Sequence, residues 1–389
     1  MPTLCSHRQC TGCAACANSC PKNCITMGRD PEGFLRPTID STHCIHCNKC
    51  EQSCPLMIPP KHLNTETKAY AAIHGDPQIR LASTSGGVFS LLCEWVLAQG
   101  GAIFGATYDD TFSVIHHKIT RRSDLDRLRT AKYAQSVIDH TYREAQQLLI
   151  QGQYVLFSGT PCQIAGLTSF LKKNYENLIL VDLICHGVPS PAVWAYYVAY
   201  RSQRDNNGAA PTSINMRCKN TGWPQYSVCF NYNNEFHYTA SNTQDPFLRC
   251  FIANLCLRPS CYNCAYKGTS RISDFTLGDY WGVWNQLPEY HDEQGTSLVL
   301  LHTEKAHKIW ETLSPLHYQE VDMDKALEEN PSALVSSNLP HHREYFMTHY
   351  ANDDFQKLVD KLLPKPKTLP FWRQVLPFLR RARRRLLRL

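Results

Sequence analysis

Apolar positions along this chain follow two periods. Tyr70–His74, Ala102–Tyr108, Tyr154–Ser158 and Leu178–Cys185 are short apolar runs of strand length. Between them, Val88–Leu97, Arg143–Gln151 and the stretch from Cys162 to about Lys173 carry apolar residues at helical spacing. Ser85-Gly86-Gly87 opens the first of these helices and Gly100-Gly101 closes it. Such alternation predicts a mostly parallel sheet with helices on its faces. Further on the pattern changes. Ser213–Cys218 and Tyr226–Ala240 read as antiparallel strands, the second hinged at Asn233-Asn234. Asp245–Leu257 reads as a helix, with Phe247, Leu248, Phe251 and Leu255 on one stripe. Ser297–His302 returns to strand and Glu304–Leu313 to helix. No apolar run approaches the roughly 18 residues needed to span a membrane.

The first 58 residues obey neither period. They contain Cys-x2-Cys-x2-Cys-x3-Cys-Pro twice, as Cys10, Cys13, Cys16, Cys20, Pro21 and as Cys44, Cys47, Cys50, Cys54, Pro55. This is the bacterial-ferredoxin run for [4Fe-4S] clusters, in which the fourth Cys ligates the cluster held by the other copy. One cluster is therefore expected on Cys10, Cys13, Cys16 and Cys54, and the other on Cys44, Cys47, Cys50 and Cys20. Zinc is the rival, but it wants four ligands, usually as two separated pairs. Two clusters imply electron transfer.

Composition narrows the picture. Nineteen Cys in 389 residues is heavy usage and an odd number, at a length where a disulfide scaffold is not expected. The start, Met-Pro-Thr-Leu-Cys, has no basic-then-apolar leader pattern. Iron-binding thiols need a reducing compartment, so a cytosolic protein is expected. The net charge of +6 is local: residues 371–389 hold seven Arg and no acid, and removing those seven leaves the rest at −1. Trp372, Leu376, Leu379, Leu386 and Leu387 fall near one helical face there, although Pro377 interrupts the start. A basic amphipathic segment reads as peripheral on an anionic inner membrane face, and no nucleic-acid partner is expected. The expected order is a cluster domain at 1–58, a linker at 59–68, an α/β domain at 69–345 and a basic extension at 346–389.

A second set of cysteines stands apart. Cys93 and Cys229 read as small core residues. Cys162 and Cys185 lie where apolar strands end, and in open α/β sheets such ends form the binding crevice. Cys261 and Cys264 form a Cys-x2-Cys in a loop. From spacing alone a third cluster, zinc, a redox dithiol at Cys261/Cys264 and plain packing all stay open, with Cys250 and Cys256 as competing ligands.

Ser85-Gly86-Gly87 ahead of a helix suits a phosphate or diphosphate. Lys132, Tyr133, Gln135 and Ser136 add a cation, a ring and two polar groups that suit a flavin. Neither G-x-G-x-x-G nor a G-x(4)-G-K-[ST] loop occurs, which disfavours a Rossmann NAD site or an ATP site.

Taken in order, several segments resemble the coenzyme F420 hydrogenase/dehydrogenase beta-subunit family, flavin iron-sulfur proteins that also include chlorophyll-cycle reductases. They are Ser85-Gly-Gly-Val-Phe-Ser90, Lys132-Tyr-Ala-Gln-Ser136, Ser158-Gly-Thr-Pro-Cys-Gln163, Asp182-Leu-Ile-Cys-His-Gly-Val-Pro-Ser190, Arg258-Pro-Ser-Cys-Tyr-Asn-Cys264 and Ser273-Asp-Phe-Thr-Leu-Gly-Asp-Tyr-Trp-Gly282. With the cluster domain they span about residues 5 to 300. The resemblance implies an α/β fold: a small bacterial-ferredoxin-like 2x[4Fe-4S] domain, then a non-Rossmann α/β flavin-binding domain. It implies FAD lined by Ser85, Gly86, Gly87, Lys132, Tyr133, Gln135, Ser136, Gly159 and Thr160. It makes Cys162, Cys185, Cys261 and Cys264 the ligand set of a third [4Fe-4S] cluster, and His186 the titrating group at the crevice. The implied partners are an electron-carrying protein such as ferredoxin and a small two-electron substrate. Relatives oxidise or reduce F420, and some resemble components of surface-polysaccharide gene clusters.

Overall fold

The computed structural model describes residues 2–61 and 66–364. The basic stretch at 371–389 lies outside the described residues. Two short strands, β1 (Ile25–Arg29) and β2 (Leu35–Ile39), pair antiparallel beside the cluster loops. The large sheet takes β3 (Lys68–His74), β4 (Ala102–Tyr108), β5 (Val114–Ile119), β6 (Val155–Ser158) and β7 (Leu178–Leu183). A separate three-stranded sheet holds β8 (Ser213–Cys218), β9 (Ser227–Asn231) and β10 (His237–Ser241). The chain then adds β11 (Phe275–Asp279), β12 (Ser297–Leu301) and β13 (Leu316–Val321) to the large sheet.

The large sheet has eight strands in the order β13-β3-β12-β11-β7-β6-β4-β5. Only the β4–β6, β6–β7 and β7–β11 pairings are parallel; the other four are antiparallel. The expectation of a mostly parallel sheet is corrected to a parallel centre with antiparallel flanks. One flank has a local cause. Asp109 accepts the N–H groups of Thr111 and Ser113 at 2.9 Å, closing a tight turn that forces β5 back along β4.

Alternate residues of the central strands face opposite cores. Ile103, Leu156, Ile179 and Val181 pack with the helix Val88–Ala98 and the helix Glu304–Trp310. Phe104, Val155, Phe157, Leu178 and Leu180 pack with the helices Thr141–Ile150 and Pro161–Leu171. Period-two alternation with both faces apolar is what a sheet covered on both sides requires.

Three sequence expectations change. The longest helix, Pro191–Asn206, was not anticipated, although it starts with Ser190 accepting the Ala192 and Val193 N–H groups ahead of Pro191. Val193, Trp194, Tyr197, Val198 and Arg201 give its buried stripe. The helix expected over Asp245–Leu257 stops at Ile252, where Asn254 turns left-handed (φ 66°). The extension expected from residue 346 starts too early. Helices Arg343–His349 and Phe355–Leu362 bury Phe346, Phe355, Leu358 and Val359 against Trp194 and Tyr197.

Candidate iron-sulfur and cofactor site

The doubled sequence motif returns as a doubled backbone. In each copy the residues on either side of the second Cys are left-handed: Gly12 (φ 69°) and Ala14 (φ 60°) in one, His46 (φ 53°) and Asn48 (φ 55°) in the other. Ala14 and Asn48 then each start a short helix, Ala15–Ser19 and Lys49–Gln52. Such turns curl three thiols inward over a few residues. Cys13 and Cys16 each lie within electrostatic reach of Cys10 and Cys54. Cys20 instead lines a cavity of about 310 Å³ with Cys44, Cys47 and Cys50. The fourth Cys of each copy thus sits with the other copy's first three.

Two thiols join these groups that spacing did not single out. Cys5 hydrogen-bonds Cys10 and Cys54, and its S–H lowers the Cys10 thiol to about 5 and the Cys54 thiol to about 6. Cys24 lines the second cavity, its sulfur 3.3 Å from that of Cys20. Both lie outside the repeated spacing, so the motif carried no signal for them.

Buried polar contacts seat the first loop on the α/β core. Arg258, 1% exposed, donates to Cys10 O and Leu35 O at 2.8 Å and to Gln135 Oε1 at 2.9 Å. Gln135 also accepts Leu35 N–H at 3.1 Å. Arg143 caps the end of the Ala15–Ser19 helix through Asn18 O at 2.7 Å and Cys20 O at 2.8 Å, a cation where the helix dipole is negative. Across the β1–β2 turn, Arg343 grips Glu32 through both carboxylate oxygens at 2.7 and 2.6 Å.

Behind that contact lies a cavity of about 490 Å³. Cys162, Cys185, Cys261 and Cys264 all line it, together with Thr11 of the first loop, His186, Arg258, Lys267 and Arg271. Cys250 and Cys256 do not line it; both are fully buried in the core around Trp194. Burial raises the Cys162 and Cys261 thiols, and raises Cys185 to about 12. Buried thiols of this kind become thiolates only when metal replaces their protons. No three His, Cys, Asp or Glu among the described residues converge tightly enough for a single metal ion. Four thiols around a wide cavity with three cations in its wall suit a larger anionic group, and a cubane cluster held by four thiolates is one.

His186 has both ring nitrogens occupied, Nε2 with Asn254 Oδ1 at 2.6 Å and Nδ1 with Ser332 Oγ at 3.4 Å. Burial lowers its pKa, and its ring meets Phe251 edge-on. In this geometry it braces the cavity wall.

The residues expected around FAD fall into two groups. Following the pairings from strand to strand, the C-terminal ends of β3, β11, β7, β6 and β4 share one sheet edge. Ser85–Gly87 sits there over β3 and β12: Ser85 Oγ donates to Thr296 O at 2.6 Å, and Gly86 N–H donates to Ser297 Oγ at 3.0 Å. A Cβ on Gly86 would strike Ala72 O and lie 2.7 Å from Ser297 N, so protein packing alone demands this glycine. Gly159 and Thr160 end β6 on the same edge, and Gln163 accepts Thr160 N–H at 3.0 Å. Four strand spacings separate β3 from β6, roughly 19 Å.

The second group is held elsewhere. Lys132 gives its ammonium to Arg127 O, Arg129 O and Thr130 O at 3.0, 2.6 and 3.2 Å, and burial lowers its pKa to about 7. Tyr133 stacks on Phe251 at 4.5 Å, and Ser136 Oγ accepts from Gln163 at 2.8 Å. Gln135 joins the two parts of the chain, as above.

Three buried polar atoms near the sheet edge have no hydrogen-bond partner: His74 Nε2, Tyr108 OH and His116 Nδ1. His74 Nδ1 accepts Asp76 N–H at 2.8 Å, which leaves Nε2 as an unused donor beside Gly87. His116 Nε2 donates to Ser158 O at 2.9 Å, which leaves Nδ1 as an unused acceptor. Unsatisfied groups of this kind cost about 1–3 kcal/mol each when nothing meets them. A donor at the glycine segment and an acceptor near β6 fit a long polar ligand along the edge.

Residues 152–325 match the family model for the C terminus of the coenzyme F420 hydrogenase/dehydrogenase beta subunit. Residues 9–58 match the 4Fe-4S dicluster domain. Among curated proteins none matches significantly. Among solved structures, a chain of the xenon-derivatised F420-reducing [NiFe] hydrogenase complex from Methanosarcina barkeri aligns with 78% of this chain and 95% of its own. Identity there is 16% and the TM-score 0.44. The two family matches, one on the doubled cysteine loops and one on the domain that holds the inner cavity, make this chain an iron-sulfur protein of the coenzyme F420 hydrogenase/dehydrogenase beta-subunit family.

Proposed function

We propose that this chain is an FAD/[4Fe-4S] oxidoreductase linking a protein electron carrier, such as ferredoxin, to a small two-electron substrate. The observation that carries the reading is the inner cavity. Its four thiols stand against Thr11 of the first N-terminal loop, so a redox group there would adjoin the N-terminal pair. Cys162, Cys185, Cys261 and Cys264 would hold a third cluster, with Arg258, Lys267 and Arg271 offsetting its charge. Ser85–Gly87, His74, Gly159 and Thr160 would line FAD along the sheet edge, with Tyr108 and His116 as further polar contacts. A flavin exchanges electrons in pairs with organic substrates and singly with clusters. His186 keeps the cavity wall in place. F420 and surface-polysaccharide precursors are substrates to screen first, and the basic segment 371–389 is proposed to rest on anionic lipid.

A second reading, an electron relay without flavin, is favoured by the engaged state of Lys132, Gln135 and Ser136. One experiment separates the two. Anaerobically purified chain, reconstituted with iron, sulfide and FAD and then desalted, should retain flavin absorption over a broad iron-sulfur band. Complete loss of flavin on desalting would leave the relay. Vesicle sedimentation tests the tail: deleting residues 371–389 should abolish binding to anionic vesicles, and unchanged binding would place the contact elsewhere.

A further inference from the structure

The three-stranded sheet carries two cysteines that neither the cluster loops nor the inner cavity uses. Cys229 lies in β9 and Cys218 ends β8. The register between these strands slips: Asn215 pairs with Cys229, but Cys218 pairs with Ser227, so β8 has one residue more than β9. Such a bulge turns two successive side chains to the same side. Met216 and Arg217 are both buried, 0% and 3% exposed, and Met216 joins the core with Val228 and Phe230. The extra residue therefore turns Cys218 to the other face. Cys229 already lies on that face, between the inward-facing Val228 and Phe230. The two thiols become diagonal neighbours in hydrogen-bond contact, and Thr239 Oγ1 donates to the Cys229 sulfur at 3.6 Å. Cys218 is half-buried and Cys229 is the more covered of the two. Cys229 was expected to be plain core; its face of the sheet is instead the polar one, shared with Thr239 and Asn231.

We propose that Cys218 and Cys229 are a reversible dithiol/disulfide site, with Cys218 as the attacking thiol and Cys229 as the resolving one. The Cys229 S–H donated to Cys218 lowers the Cys218 thiol to about 7, so it is substantially thiolate at neutral pH. The co-reactant is a low-molecular-weight disulfide. Cys218 thiolate attacks one of its sulfurs, forming a mixed disulfide and releasing one thiolate. Cys229 loses its proton and attacks the Cys218 sulfur, which expels the second thiolate. The protein gives up two electrons and two protons, and the disulfide becomes two thiols. The bulge transmits the change. Arg217 pairs with Asp279 at 2.9 Å, and Lys219 donates to Arg80 O at 2.8 Å and Ser85 O at 3.1 Å. Closing an S–S bond between Cys218 and Cys229 tightens a strand segment that grips both β11 and the Ser85–Gly87 segment. The chemistry itself does not depend on a flavin being bound.

The test uses the cluster-loaded full chain, incubated anaerobically with oxidised glutathione, blocked with N-ethylmaleimide and mapped by mass spectrometry. The expected result is a linked Cys218–Cys229 peptide, loss of both sites from the alkylated pool, and recovery of both after dithiothreitol. Cys229→Ser should stop at glutathione on Cys218, and Cys218→Ser should give no adduct at Cys229. A stable glutathione adduct on Cys218 of the unmodified chain would overturn the resolving role. Full alkylation of both thiols after treatment would overturn the site. The map of the unmodified chain decides the matter even if a variant folds poorly.

Discussion

The N-terminal loops and the inner cavity gather thiols in opposite ways. Each loop places three cysteines within seven residues, and two left-handed residues around the second Cys suffice to curl them together. The cavity collects its four from positions 162 to 264, from two strand ends and one loop. The first arrangement is local and needs little of the rest of the chain. The second exists only once the central strands β6 and β7 lie side by side and Arg258 holds its loop in place. Solvent separates them as well: Cys47 is exposed, whereas the inner cysteines lie behind the first loop. An outer, exposed cluster and an inner, enclosed one are the two ends that an electron path requires.

The largest expected effect breaks the exchange of ligands between the loops. Cys54→Ser should remove the same cluster as Cys10→Ser, and Cys50→Ser should leave that cluster intact. Iron content and the electron paramagnetic resonance of the reduced chain read this; if Cys54→Ser pairs with Cys50→Ser, the exchanged ligation is wrong. Next comes the joint between the two regions. Arg258→Ala strips three buried acceptors of a charged donor, and should destabilise the chain by about 3 kcal/mol in urea unfolding. A loss under about 1 kcal/mol would mean that the loop seats itself without Arg258.

A third effect sets one loop against the other. A Cβ on Gly12 would come within 2.8 Å of Leu35 O and 2.9 Å of Arg258 Nη1, at a φ of 69°. Gly12→Ala should therefore cost about 2 kcal/mol. His46 occupies the matching position on the exposed loop, and His46→Ala should change stability by less than about 0.5 kcal/mol. Equal effects would contradict the claim that only the first loop is packed against the core.

The smallest effect is a pH dependence at the sheet edge. Burial lowers the His116 pKa from 6.5 to about 4, so the folded chain keeps it neutral. Its contribution is present above pH 6.5 and is lost as pH falls toward 4, because the unfolded chain binds the proton first. The total is at most about 3 kcal/mol. His116→Gln should flatten the fall in stability across that window, and an unaltered slope would assign the fall to other groups.

Much of this was legible in the sequence, for physical reasons. The cluster loops announced themselves because their ligands are close in sequence. The central strands did so because apolar runs between glycines have few other uses. Cys162 and Cys185 were legible as strand-end residues, and the cavity brings them together with Cys261 and Cys264. The antiparallel flanks were not, since pairing direction depends on which strand a later segment meets. Lys132 looked like a free cation because sequence does not reveal that three carbonyls surround its ammonium. His74 and His116 were missed for the converse reason: an unused nitrogen is visible only once the partners of the other nitrogen are known.

The central claim is that the inner cavity holds a cluster. Iron and sulfide analysis with Mössbauer spectra, on anaerobically reconstituted chain and on the Cys261→Ser/Cys264→Ser double variant, tests it most directly. The account predicts three cubane clusters in the first and two in the second, with the N-terminal pair unchanged. Two clusters in both would contradict it.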